Sequence, residues 1–149
     1  MGQQQLLLVI LVTIIVGIAT VVAINTFSSA ADSANLDAVR QDLASIASSA
    51  QGYYMKPSML GGGGNEFTDA SWTNIGAIPC NLEQDDGTAY NNCVNENGTY
   101  VMGTGGGTSL TVTAYPSSDE NYTADGTSSA KITATIEADK MSLTDLTTD

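Results

Sequence analysis

The N-terminus of the chain carries a run of nineteen mostly apolar residues, Leu6 to Ile24, that contains no charge. As an α-helix this run would measure about 28 Å, close to the roughly 30 Å hydrocarbon core of a bilayer. The preceding MGQQQ is also uncharged, and Asp32 is the first charged residue. A secretory signal would have a basic segment and a shorter apolar stretch, so only the small residues Ser29-Ala30-Ala31 favour cleavage. We therefore predict a helix that lies in a membrane or among other apolar helices.

Small and weakly polar residues interrupt the apolar run at Thr13, Gly17, Ala19 and Thr20. Small residues let helices approach closely, and a threonine hydroxyl can bond to the backbone of its own helix. The run therefore suits either a lipid-facing anchor or a stem that packs against copies of itself. The residues we expect to carry that assembly are Gln3, Gln4, Gln5, Leu8, Leu11, Ile15, Gly17 and Val21.

A second helical pattern follows the apolar run. Apolar residues recur there at spacings of three and four, which is one stripe of an α-helix. The stripe residues expected to pack on a globular head are Leu36, Val39, Leu43, Ile46 and Tyr53. Asp32 or Ser33 could cap a fresh helix, but no proline precedes Pro57, so one helix from about residue 3 to 55 is also compatible. Pro57 and the glycines at 61–64 should end it.

The C-terminal half of the sequence has the alternation of β-strands. Apolar and polar residues alternate over 109–115 and 131–137, and a third strand is expected at 100–102, joined to the first by the glycine turn 103–107. One apolar sheet face and one apolar helix stripe should bury each other, which predicts an α+β fold. We expect three segments: a hydrophobic stem at 1–31, an amphipathic continuation of the helix at 32–57, and a loop-rich β head at 58–149.

The two cysteines, Cys80 and Cys93, flank a polar, turn-rich segment. Downstream of a membrane-type helix, they favour a disulfide in an oxidising compartment over two free thiols. A zinc site would need about four ligands, and the sequence has no histidine and no further cysteine to supply them.

Composition weighs against several functions. The net charge is −12 with four Lys and Arg in all, so nucleic acid is a poor partner and we expect none. The absence of histidine removes histidine-based acid–base catalysis and the Ser–His and Cys–His nucleophile pairs. The acidic groups at 85–86 and 119–125 lack the spacing of a calcium loop and are interpreted as solvated loop charge. We expect no enzyme and no catalytic, cofactor-binding or metal-binding residue. Asn97 and Asn121 lie in N-x-[ST] triplets and are candidate N-glycosylation sites.

The layout resembles type IV pilins, in which a hydrophobic helix runs into an amphipathic helix and a small antiparallel sheet with one disulfide. The stretch LDAVRQDLASIASSAQGYYMKP before a glycine run is similar to the pilin helix and its exit into the connecting loop. The resemblance implies a subunit that waits in the inner (cytoplasmic) membrane. The pilus assembly machinery would then extrude it into an extracellular helical homopolymer, with stems in the core and heads, which could carry covalent glycans, outside.

The N-terminus departs from that family. Pilin precursors usually have a short basic leader ending in Gly, and the mature chain has Glu at its fifth position. Here the fifth position is Gln5 if Met1 begins the mature chain, or Leu7 if cleavage follows Gly2. Side-chain hydrogen bonds of the glutamines would then replace the usual charge pair. A major pilin-like subunit, with an adhesive, motile or passive role, is the leading hypothesis. A minor pilin or secretion-system pseudopilin, and a membrane-anchored extracytoplasmic binding module, are the alternatives.

Overall fold

The computed structural model describes residues 2–76, 80–83, 92–103, 105–119, 130–144 and 147–148. Its chain divides into two compact units, Met1–Ala34 and Asn35–Asp149. We call the described residues 2–34 the stem and the second unit the head. The long helix α1, Gly2–Met55, supplies all of the stem and the first element of the head.

Helix α1 has no break at Asp32 or Ser33, so the fresh helix start that these residues could have capped is not used. No proline interrupts the segment, and its residues keep the backbone hydrogen bonds of a helix without a cap in the middle. The predicted long helix is therefore confirmed, with its last residue at Met55.

A compact turn follows the end of α1. The amide of Lys56 donates to the carbonyls of Gly52 and Tyr53, Pro57 stops the helix, and a 3₁₀-helix forms over Ser58–Leu60. Gly61 has φ 77°, the left-handed conformation that often terminates a helix. The amide of Gly63 then donates to the carbonyl of Tyr53 at 2.8 Å, which returns the chain to the helix end. A short helix α2, Trp72–Ile75, lies where we expected no helix.

The head contains an antiparallel sheet of seven strands within the described residues. Their bounds are β1 Asn81–Glu83, β2 Asn92–Val94, β3 Gly98–Met102, β4 Ser109–Pro116, β5 Ala130–Glu137, β6 Met141–Leu143 and β7 Thr147–Thr148. The order is β1-β2-β3-β4-β5-β6, with β7 also paired to β5. The α+β class and the three expected strands are confirmed, including the β3–β4 hairpin. The four strands that were not expected are at most three residues long.

The sheet packs one face onto α1. Strands β4 and β5 alternate strictly between buried and half-buried residues, with Leu110 opposite Ile136 and Val112 opposite Ala134 on the buried face. Tyr100 of β3 joins the same face. Phe67, Trp72 and Ile75 close the core from the connecting segment.

The predicted disulfide is present. It links Cys80, just before β1, to Cys93 in β2, with Cα atoms 5.4 Å apart, a usual distance for a disulfide. The bridge spans 13 positions, and closing a loop of that length stabilises a fold by roughly 3 kcal/mol in the chain-entropy model. It therefore holds the β1–β2 edge of the sheet, whose strands are short.

Candidate assembly surface

The stem presents apolar side chains on every side. Its large hydrophobic residues from Leu6 to Phe27 are 47–80 % exposed, and they occupy so many consecutive positions that no face of the helix is polar. A helix of this kind belongs in apolar surroundings rather than at the surface of a soluble domain. Within the described residues, it is long and apolar enough to cross a membrane.

Every residue that we expected to carry assembly lies on this exposed surface. Leu8, Leu11, Ile15 and Val21 are 57–63 % exposed. Gln3, Gln4 and Gln5 are exposed in the first turns of α1. A Cβ atom added at Gly17 would meet no atom within 4 Å, so the backbone there is open to close approach by another helix.

The threonine hydroxyl groups of the stem are satisfied by its own backbone. Thr13 donates to the carbonyl of Ile10, and Thr20 and Thr26 donate to carbonyls four residues earlier, each at 2.8 Å. An unpaired hydroxyl transferred out of water costs several kcal/mol, whereas a bonded one does not. The threonines therefore add no unsatisfied donor when the stem enters lipid or a helix bundle.

The part of α1 in the head is buried on one side only. Val39, Leu43 and Ile46 have no exposed surface, Tyr53 is 5 % exposed, and the half-buried Leu36 packs against the same core. Burial raises the pKa of the Tyr53 phenol above 10.0, and the nearby carboxylate of Asp69 raises it further. The polar residues expected on the opposite side are exposed: Asp37, Arg40, Gln41, Ser45 and Ser48.

A polar cluster between α1 and the sheet was not foreseen. The Oδ2 atom of Asp42 accepts hydrogen bonds from Tyr100 Oη at 2.7 Å, Asn95 Nδ2 at 2.7 Å and Asn97 Nδ2 at 2.8 Å. Bonds to a charged acceptor are among the stronger ones in proteins. A signal was present, because Asp42 follows Val39 by three residues and precedes Ile46 by four, which places it on the flank of the buried stripe.

A second contact between helix and sheet lies about two turns earlier in α1. The side-chain amide of Asn35 donates to the carbonyl of Asn97 at 3.0 Å and to Ser117 Oγ at 3.1 Å, while its oxygen accepts from the amide of Ser118. Further along, Gln51 Nε2 donates to the carbonyl of Glu137 at 3.1 Å. These contacts fix the register of the helix on the sheet.

The two candidate glycosylation sites differ in what the structure describes. The side-chain amide nitrogen of Asn97 is bonded to Asp42, and Thr99 of the same triplet has no exposed surface. The folded head therefore does not present this triplet as an open segment, and modification there would have to precede folding. Asn121 lies outside the described residues.

The described residues contain no group of three or more potential metal ligands. Asp119 accepts a hydrogen bond from the amide of Ala130 at 3.0 Å, and the other members of the two acidic groups lie outside the described residues. Comparison with family models, with curated proteins and with solved structures finds no match to this chain. Function must therefore be argued from the stem and the head themselves.

Proposed function

We propose that the chain is the major structural subunit of an extracellular, type IV pilin-like filament that polymerises through its stem. The observation that carries the proposal is a helix that is uncharged over residues 2–31, apolar on every side over residues 6–24, and joined to a folded head. Burying one large aliphatic side chain contributes about 1.5–3 kcal/mol. The stem carries many such side chains, so its transfer to apolar surroundings is a strong driving force.

This apolar surface can be buried in two surroundings: in lipid before assembly, and among the stems of other copies afterwards. Burial in lipid requires only that the apolar helix is long enough to cross the bilayer. The open backbone at Gly17 and the self-satisfied threonines also suit close packing between helices. The same surface thus supports an inner-membrane subunit that passes into a filament core.

The glutamines at the start of the stem suit burial among other stems. Gln3, Gln4 and Gln5 carry donors and acceptors without net charge, and they are exposed in the isolated chain. Amides that hydrogen-bond between copies would avoid the large cost of an unpaired buried charge. This is how we propose that the chain replaces the Glu–amine pair of the pilins it resembles.

The alternative with support from the same helix is a membrane-anchored extracytoplasmic binding module. It is favoured by the length of the apolar helix and by the independent core of the head. A minor pilin or pseudopilin would share every feature described here and would differ in abundance, because a major subunit dominates sheared surface material.

The experiment is to remove detergent from the purified chain and to image the product by electron microscopy, with Gly17→Leu as the decisive variant. Leucine keeps the stem apolar, so a lone anchor tolerates it and still fractionates with membranes. A close-packed bundle does not tolerate the added bulk, so we expect few or no filaments. Val16→Leu, a smaller change in volume next to it, is the matched control and should assemble.

A wild-type chain that stays monomeric in every preparation, both purified and in cells, would contradict the proposal and favour the anchored module. Normal filaments from Gly17→Leu would show that this position does not lie at a close helix contact.

A further inference from the structure

The head exposes three large hydrophobic side chains within six positions, at the end of α1 and in the turn that follows it. We call this segment the methionine turn (residues 55–60). Met55 is 68 % exposed, Met59 96 % and Leu60 67 %. Elsewhere in the described head, the large hydrophobic residues are buried or half-buried, apart from Leu143 at 39 %. Exposed apolar side chains grouped in this way are typical of interaction sites.

The backbone holds the methionine turn firmly in place. The amides of Leu60 and Gly62 both donate to the carbonyl of Pro57, and the amide of Gly64 donates to that of Lys56. A Cβ atom on Gly62 would collide with the carbonyl oxygen of Lys56. The exposed side chains are therefore presented by a fixed turn, which lowers the entropy cost of binding.

The methionine turn also carries a cation. Of the four basic residues, Arg40 pairs with Asp37 and Lys140 with Glu137, each at 3.1 Å. Lys56 is exposed and makes no ion pair or side-chain hydrogen bond in the described part of the chain. A complementary binding partner for the methionine turn would therefore present an apolar surface and a carboxylate.

The stem ends in a surface with that chemistry. Phe27 is 80 % exposed, the highest value among the large hydrophobic residues of the stem. Asp32, the first charge of the chain, is exposed and makes no ion pair among the described residues. Five residues correspond to about 140° of rotation on a helix, so Phe27 and Asp32 lie on the two flanks of one broad helix face. A second copy of the chain would therefore supply an apolar ring and a carboxylate to a partner that docks across that face.

We propose that the methionine turn of one copy docks on the Phe27–Asp32 segment of a second copy. Met55, Met59 and Leu60 cover the Phe27 ring, with the favourable sulfur–aromatic contacts that methionine makes, and Lys56 pairs with Asp32. The two surfaces differ, so the contact is heterologous, and repeated heterologous contacts build rings or open helical filaments. The inference rests on the proposed function and names a contact between its subunits.

The test measures the critical concentration for filament formation of the full chain at low salt, where screening is weak. Lys56→Glu and Asp32→Lys should each raise it by roughly an order of magnitude, because each turns an attraction into a repulsion. Lys140→Glu is the matched control: it makes the same substitution on an exposed lysine away from the turn, and should assemble as the wild type does.

The decisive step mixes the two single variants in equal amounts. Where a Lys56→Glu copy offers its methionine turn to an Asp32→Lys copy, positions 56 and 32 again carry opposite charges, with the signs exchanged. At the next contact, the unchanged Lys56 of the Asp32→Lys copy meets the unchanged Asp32 of a Lys56→Glu copy. Every contact in an alternating filament then pairs opposite charges, so assembly should recover in the mixture. An intramolecular pair would be restored only in the double variant and not in the mixture, which would overturn the proposal.

The apolar half of the contact is tested by Met59→Ser. Met59 is almost fully exposed, so the head should melt as in the wild type while the critical concentration rises. Normal assembly of both Lys56→Glu and Met59→Ser would overturn this contact and leave the filament intact. Weaker binding of these variants to anionic vesicles, with an unchanged assembly threshold, would assign the turn to lipid and also overturn it. A wild-type chain that forms no filament in any preparation, purified or in cells, would overturn the proposed filament itself.

Discussion

The two parts of helix α1 differ in what surrounds them. In the stem, the apolar side chains point to every side and all are exposed, whereas in the head they form one stripe that is covered by the sheet. Both parts are regular helix, so the difference lies in side-chain pattern and not in backbone. The head part of α1 packs against the sheet of its own chain, while the exposed stem would be buried only by lipid or by another chain.

The two parts also treat polar groups differently. The stem threonines bond to carbonyls of their own helix, so these hydroxyl groups need no partner in apolar surroundings. In the head, Asp42, Asn35 and Gln51 bond across to the sheet and bind the helix to one partner in one register. A subunit that polymerises through its stem would need both properties: a stem that tolerates different apolar neighbours and a head whose helix packs on its sheet in one arrangement.

The largest expected difference between the two parts appears when one leucine in each is truncated to alanine. Leu43→Ala should lower the free energy of unfolding of the head by about 2–5 kcal/mol, because it leaves a cavity in the core. Leu11→Ala should leave that free energy unchanged. The fluorescence of Trp72, which is the only tryptophan and is buried, reports urea unfolding of the full chain in detergent. A head destabilised by Leu11→Ala would break the comparison.

A smaller effect is expected at the Asp42 cluster. Tyr100→Phe removes one of three donors to the carboxylate and should lower the free energy of unfolding by about 1.5 kcal/mol. Tyr115→Phe is the matched control, because the Tyr115 hydroxyl makes no hydrogen bond among the described residues. Equal stability of the two variants would mean that the cluster does not contribute to holding the helix on the sheet.

The long periodic elements could be predicted from sequence. The stripe through Leu43 and the alternation in β4 and β5 follow from spacing alone, because each element is long enough for its period to repeat. The short strands β1, β2 and β6 could not, because three residues do not establish a period. Helix α2 was missed for the same reason, although Trp72 and Ile75 were visible as apolar residues.

The candidate site divides in the same way. The exposed stem could be predicted because composition alone determines its character. The Asp42 cluster depends on long-range contacts between Asp42, Asn95 and Tyr100, which only the fold brings together. The methionine turn could not be predicted, because exposure of Met59 depends on how the backbone turns after Pro57, and local sequence does not reveal that.

The smallest expected effect is a pH dependence confined to the head. Residues 2–31 contain no titratable side chain, whereas Tyr53 in the head part of α1 has a raised pKa through burial and the charge of Asp69. A phenol with a raised pKa in the folded state binds its proton more tightly there than in the unfolded chain. Its contribution to stability is therefore complete below about pH 10, the ordinary value, and is lost as pH rises through the folded pKa.

Urea unfolding between about pH 8 and 11, a range that brackets the ordinary tyrosine pKa, should accordingly show a steeper loss of stability for the wild type than for Tyr53→Phe. The two chains are compared by difference so that the other tyrosines cancel. Phenylalanine keeps the ring in the core and removes the proton. Filament assembly through the stem should not depend on this group. At each pH in the same range, Tyr53→Phe and the wild type should therefore have the same critical concentration. Suppose that Tyr53→Phe changed the critical concentration for assembly but not the pH dependence of head unfolding. The division of α1 into a head part that packs within its own chain and a stem that packs outside it would then be wrong.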